Sequence, residues 1–132
     1  MKKILIINGH PDNASFNDAL IGAYLGGLAD SFQISSIIIR ELQFNPNLQY
    51  GYRKRTELEP DLVTAIEKIK VADHIVWVFP IWWYGSPAMM KGFIDRTFLP
   101  GITFEPIPGS SMIRKLLRRK TAHIIATADT PR

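Results

Sequence analysis

The segment Ile75-Val76-Trp77-Val78-Phe79 is apolar at every position. A strand wetted on one side alternates apolar and polar residues, so a strand without alternation must be covered on both faces, as in parallel sheets flanked by helices. Three further runs have strand character: Ile4-Leu5-Ile6-Ile7, residues 34–39 with the β-branched Ile37-Ile38-Ile39, and Ala122-His123-Ile124-Ile125-Ala126. Amphipathic stretches separate them. Leu20, Tyr24 and Leu28, flanked by Ile21 and Leu25, have helical spacing, and Ser15 with Asp18 has the form of a capping box. Pro60 suits the first turn of a helix with the apolar face Leu62, Ala65, Ile66, Ile69 and Ala72. Ser86-Pro87 has N-cap and N1 chemistry for a helix through about Phe98. The order β-α-β-α-β-α-β predicts a doubly wound α/β parallel sheet, in a single domain over residues 1–132.

Composition narrows the functional classes. Without cysteine there is neither a disulfide framework nor a thiolate metal site. No apolar run approaches the ~20 residues of a membrane helix, and Met1-Lys2-Lys3 leads into too short an apolar stretch for a signal peptide. The expectation is a cytoplasmic protein without membrane insertion. Residues 1–60 carry six basic and six acidic side chains, so the net charge of +4 lies in residues 61–132. Its focus is Arg114, Lys115, Arg118, Arg119 and Lys120, read as the solvated face of a short helix or loop. No nucleic-acid partner is expected, because aromatics for base stacking are missing nearby. Pro100, Gly101, Pro106, Pro108 and Gly109 mark the preceding stretch as loop, and residues 43–59 read as a long polar excursion.

In such sheets ligands sit beyond the carboxyl ends of the strands. That selects the loops 8–17, 80–87 and 127–132. In the first, a strand turning into a helix N-terminus offers free N–H groups to a phosphate, with His10, Ser15 and Asn17 as side-chain donors. Ser15 and Asn17 would equally serve as plain helix caps. Neither a G-x-G-x-x-G fingerprint nor a P-loop is present. In the second, Trp82-Trp83-Tyr84 at the mouth of a buried strand suits the wall of a flat aromatic ligand, with Gly85 allowing close backbone approach. The competing reading folds one or two of these rings onto the next helix.

The stretch from Phe79 to Phe98 resembles the flavin-loop signature of the flavodoxin-like NAD(P)H:quinone oxidoreductases, the NAD(P)H dehydrogenase (quinone) and modulator-of-drug-activity type. That signature runs P-x-x-W-(F/Y)-x-x-P-A-x-x-K-G-(F/W)-x-(D/E)-R-x-F, and every fixed position is met from Pro80 onward. The family's H-x-x-x-x-S-(F/L)-N is met by His10, Ser15, Phe16 and Asn17, and Leu42-Gln43-Phe44-Asn45-Pro46 is similar to a further family segment.

The resemblance implies sheet order 2-1-3-4-5 and bound FAD or FMN, FAD slightly favoured. It assigns His10, Ser15, Phe16 and Asn17 to the flavin's phosphate side. It assigns Pro80, Ile81, Trp82, Trp83 and Tyr84 to the ring, largely through backbone N–H groups, and Thr127 to a third flavin loop. Trp83 and Tyr84 would also wall the pocket for nicotinamide and quinone. The implied activity is two-electron reduction of quinones or related acceptors by NAD(P)H, a ping-pong hydride transfer through flavin N5, in a homodimer. Relatives acting as ancillary subunits of potassium-efflux systems supply the alternative, a regulatory flavoprotein. The third loop departs from the common Thr-Thr-Gly-Gly, reading Thr127-Ala128-Asp129-Thr130-Pro131. Family proton-relay residues lie beyond the fourth strand, so no catalytic acid or base is named. Family members also have a fifth strand and a further helix, so Arg132 is not expected to be the natural end, and the fourth strand is expected as an unprotected edge. His74, beside Asp73, and His123 are expected to be packing or solvated residues, with no metal site. Arg96 is expected to be structural or to make a dimer contact.

Overall fold

In a computed structural model, residues 1–129 are described. The elements are β1 (Lys3–Asn8), α1 (Phe16–Gly26), β2 (Gln33–Ile38), a 3₁₀ turn (Ile39–Glu41), α2 (Pro60–Val71), β3 (His74–Pro80), α3 (Ala88–Thr97), β4 (Phe104–Pro106), β5 (Ile113–Lys115) and β6 (Thr121–Thr127). The main sheet is parallel throughout, in the order β2-β1-β3-β6. This is the expected 2-1-3-4 order of a flavodoxin-like fold, with an unforeseen hairpin inserted before the last strand. No helix among the described residues is long and apolar enough to cross a membrane.

Alternation within the strands sorts the core into two layers. Leu5, Ile7, Ile37 and Ile75 face Leu62, Ala65 and Ile69 of α2 and Met90 and Phe93 of α3. Ile4, Ile6, Val76 and Val78 face Ile21, Tyr24, Leu28 and Phe32 on the α1 side. Trp77 stands in the strand as expected, edge-on to Phe98 with ring centroids 5.8 Å apart. The outer strand β6 is exposed along much of its length, Ile124 at 69%.

Three sequence expectations need correction. Ile39 leaves the sheet for the 3₁₀ turn, yet remains buried in the core. Ser86 does not cap α3. Pro87 holds the N-cap position with φ −55° and ψ 151°, and no side chain caps the helix. Residues 104–115 are not simple loop, because β4 and β5 pair antiparallel, Glu105 opposite Arg114 with 3.3 Å between the charged groups. The basic cluster is thereby divided between tasks. Lys120 donates from Nζ to the carbonyls of Lys70 (2.6 Å) and Ala72 (2.5 Å), where the C-terminus of α2 presents negative partial charge.

The polar excursion is tied down by Arg96, which is structural as expected. Its guanidinium is 2% exposed and donates to Asn45 O (2.5 Å), Glu57 O (2.9 Å) and both oxygens of Glu59 (2.6 and 3.3 Å). One side chain of α3 thus holds both ends of the excursion. Gly92 lies on the same helix, where an added Cβ would overlap Pro46. Removing Arg96 strands buried acceptors and the Glu59 carboxylate. Arg96→Met should therefore lower unfolding free energy by about 3–5 kcal/mol in urea titrations. A loss under 1 kcal/mol would mean that the excursion docks without it. The hydrogen bond from Arg96, assisted by the Asn45 N–H, outweighs burial and holds Glu59 below its ordinary value of 4.5. A depressed carboxylate contributes stability above its unfolded pKa and loses it as the pH falls through the folded value. Wild type should accordingly lose more stability than Glu59→Gln as the pH drops below about 4.5.

Candidate functional site

The first loop is braced by its own side chains. Asn8, which ends β1, accepts the His10 N–H at Oδ1 (3.0 Å) and donates through Nδ2 to Asp18 (2.9 Å). His10 Nδ1 accepts the Asp12 N–H at 3.0 Å. Arg40, beyond β2, donates to the carbonyls of His10 (3.2 Å) and Asp12 (3.3 Å) and lies 3.6 Å from the Asp18 carboxylate. At Gly9 an added Cβ would run into the Met90 side chain and crowd Phe79, so a larger residue in this loop would push Met90 aside.

Ser15 is the N-cap of α1, accepting the Asp18 N–H (3.3 Å) and donating its hydroxyl proton to the Asp18 carboxylate (2.9 Å). Burial pushes the Asp18 carboxyl up. The hydrogen bonds from Ser15 and Asn8 and the Arg40 charge outweigh it and leave the group below its ordinary range. Phe16 is 68% exposed at the first position of the helix. Asn17 is only 2% exposed, accepts the Thr127 hydroxyl at Oδ1 (3.2 Å), and has a buried Nδ2 with no partner. An amide donor buried without an acceptor costs about 1–3 kcal/mol. It sits at a helix end whose first backbone N–H groups have no intrahelical acceptor.

The second loop is a two-residue turn. Trp82 and Gly85 exchange backbone hydrogen bonds of 2.9 and 3.1 Å, and the central residues Trp83 (φ 49°) and Tyr84 (φ 61°) are both left-handed. Positive φ at both central positions is the mark of a type I′ turn, which normally takes Asn-Gly. Here two bulky aromatics occupy it, at about 1–2 kcal/mol per left-handed residue. Gly85, expected to allow close backbone approach to a ligand, has no positive φ, and an added Cβ there would meet only ordinary contacts within the chain. The rings gain nothing from the core in return, since Trp83 is 96% and Tyr84 99% exposed. The reading that folds them onto the next helix is set aside. Trp82 is 45% exposed and stands edge-on to His10, ring centroids 5.7 Å apart. Pro80 is buried at the end of β3, and Ile81 is 42% exposed.

The Ile81 N–H is committed to Thr127 O (2.7 Å) and the Trp82 N–H to Gly85, while the N–H groups of Trp83 and Tyr84 make no hydrogen bond among the described residues. The backbone donors expected along 80–84 therefore reduce to these two. The three loops are joined by His10 to Trp82, Asn17 to Thr127 and Ile81 to Thr127, which brings every candidate residue to one edge of the sheet. Of the third loop, Thr130 and Pro131 lie outside the described residues. Sequence reasoning missed Asn8 and Arg40. The Asn8-Gly9 turn was visible, but nothing in the sequence around Arg40 pointed toward the first loop.

Residues 2–132 match the model of a family described as having a flavodoxin-like fold. Among curated proteins, NAD(P)H dehydrogenase (quinone) 1 of Cavia porcellus is 28% identical over 125 residues, covering 79% of this chain and 46% of its own length. The crystal structure of Smu.1420 from Streptococcus mutans UA159 superposes with a TM-score of 0.82 at 30% identity, covering 98% of this chain and 69% of that one. An NAD(P)H:quinone oxidoreductase from Methanothermobacter marburgensis shares the fold, with a TM-score of 0.80 at 21% identity over 98% of this chain and 68% of its own. The chain spans about half the length of the curated relatives it matches.

The aromatic turn yields a test of its own. A double substitution, Trp83→Asn with Tyr84→Gly, relieves the left-handed strain and gives up no buried contact. Without ligand it should raise unfolding free energy by roughly 1–2 kcal/mol. A loss of stability would mean that the two rings hold the fold together.

Proposed function

This chain belongs to the flavodoxin-like fold family, and from that premise we propose that it binds FAD or FMN at the edge formed by its three loops and serves NAD(P)H-dependent reduction of quinones or related acceptors. The observation that carries the proposal is Asn17. Its amide is buried and joined to Thr127, and its Nδ2 lacks an acceptor in the first turn of α1. A phosphate supplies the missing acceptor and the favourable charge at a helix N-terminus. Arg40, Asn8 and Ser15 support this reading by neutralising or engaging Asp18, the carboxylate in the first turn of α1.

The chain's residues then divide the work. Asn17 Nδ2 and the first N–H groups of α1 hold the phosphate, with His10, Ser15 and Phe16 around it. Trp82, Trp83 and Tyr84 wall the ring, and the uncommitted N–H groups of Trp83 and Tyr84 face its polar edge. A flavin held there would supply two-electron hydride chemistry between NAD(P)H and the acceptor. The near-complete exposure of Trp83 and Tyr84 leaves their outer faces for nicotinamide and quinone, and suits a wall completed by a second copy. A homodimer and a cytoplasmic location belong to the same proposal.

Addition of FMN and FAD to purified chain tests the reading, with flavin fluorescence, the mass of retained flavin and NAD(P)H oxidation with a simple quinone as readouts. Binding at 100 times Kd should stabilise the fold by about 2.7 kcal/mol. Trp83→Ala should weaken flavin or quinone binding tenfold or more at an intact melting transition, since stacking is worth about 1–3 kcal/mol. Asn17→Leu should weaken flavin binding roughly 10-fold to 100-fold, as befits a lost hydrogen bond to a charged group. Chain that neither retains nor responds to either flavin contradicts the proposal. Flavin retained without turnover favours the regulatory alternative.

A further inference from the structure

Asp18 stands where a phosphate-binding helix is least served by an acid. It lies in the first turn of α1, next to Asn17 and its unpartnered Nδ2. A carboxylate at a helix N-terminus ordinarily turns back onto the free N–H groups there and is stabilised by them. It would then compete with a phosphate for the same donors. In this chain the carboxylate is held aside. Among the described residues no backbone N–H donates to it. One of its oxygens accepts the Asn8 amide (2.9 Å) and lies 3.6 Å from the Arg40 guanidinium, and the other accepts the Ser15 hydroxyl (2.9 Å).

Arg40 supplies the charge in that set, and its place follows from the sheet. Strands β1 and β2 pair as far as Asn8 opposite Ile38, so a residue two beyond Ile38 comes level with the loop leaving β1. The Arg40 side chain is 17% exposed and is fixed by the carbonyls of His10 (3.2 Å) and Asp12 (3.3 Å). A guanidinium fork can serve two carbonyls and a carboxylate at once, which an ammonium does less well. Asp12, the other acid of the loop, is exposed and accepts the Ala14 N–H (3.1 Å).

We propose that Arg40 is a specificity-determining positioning residue: by holding Asp18 aside and cancelling its charge, it makes the site prefer phosphorylated flavins to riboflavin. The inference rests on the flavin reading above and assigns within it a residue that lies outside both sequence motifs. Arg40 acts through Asp18 and the two loop carbonyls. With Arg40 present the pair adds no net charge, and the helix end and Asn17 Nδ2 are left to the phosphate. Without it, an uncompensated carboxylate faces the phosphate across the first turn of α1.

Dissociation constants for riboflavin, FMN and FAD, read from flavin fluorescence, test the inference on wild type, Arg40→Met, Arg40→Lys, Asp18→Asn and the Arg40→Met, Asp18→Asn double variant. The three ligands share the ring and ribityl chain and differ from there in phosphate, so the ratio of their constants separates phosphate recognition from general loosening of the fold. Arg40→Met should cut the preference for phosphorylated flavin about tenfold, the order of one unit charge near a protein surface. That loss should shrink as KCl is raised. Arg40→Lys should keep most of the preference. Adding Asp18→Asn to Arg40→Met should restore it, a rescue that a merely structural arginine would not show. An unchanged preference in Arg40→Met, an equal loss for all three ligands, or no rescue overturns the inference and leaves the flavin reading standing. So does a wild type that binds riboflavin as tightly as FMN and FAD. Wild type that binds no flavin overturns both. If Arg40→Met fails to fold, Asp18→Asn alone decides: with Arg40 unopposed the preference should rise, and an unchanged or lower one overturns the inference.

Discussion

Strand β3 is hydrogen-bonded on both edges, to β1 and to β6, and everything at the candidate site is placed by that pairing. Asn8 stands opposite Val78 and Thr127 opposite Pro80, so the ends of three strands far apart in sequence reach one level. The fully apolar run of β3 allows this, since only a strand covered on both faces can sit between two parallel neighbours with helices above and below. The short links across the strand ends, Ile81 to Thr127 and Asn17 to Thr127, are geometrically possible because of that register.

The same edge carries two features that cost free energy in the chain alone. A donor is buried without an acceptor at Asn17, and two large aromatics sit in a turn built for Asn-Gly. Both features cost free energy in the isolated chain, and both are of the kind a ligand relieves or exploits. The charges nearby run the other way. Asp18 is hydrogen-bonded by Ser15 and Asn8 and faces Arg40, so the loop is held in shape before any ligand arrives. Pre-organisation of this sort lowers the ordering cost of binding.

Much of this was legible in the sequence. The apolar run of β3, the helical face of α2 from Leu62 to Ala72 and the three loops at the strand ends follow from periodicity, because burial on these faces is nearly complete. The hairpin of β4 and β5 was not legible, since three-residue strands among Pro106, Pro108 and Gly109 carry no alternation to detect. The role of Arg96 depends on carbonyls at Asn45 and Glu57, distant in sequence, and backbone acceptors leave no trace in side-chain pattern. The type I′ turn was hidden because two bulky aromatics, Trp83 and Tyr84, stand where Asn-Gly is usual. His74 and His123 read separately as unremarkable, and only the β3–β6 register with Tyr24 above them makes them neighbours.

The central claim is that the three loops form one flavin site organised by Asn17. Its most direct test is the side-chain amide of Asn17 in ¹⁵N-resolved NMR spectra as FMN or FAD is added. The account predicts that the Asn17 Nδ2 protons shift and gain protection from exchange, together with the backbone amides of Trp83 and Tyr84. Perturbations confined to other surfaces, with the Asn17 amide and the aromatic turn unmoved at saturating flavin, would contradict it.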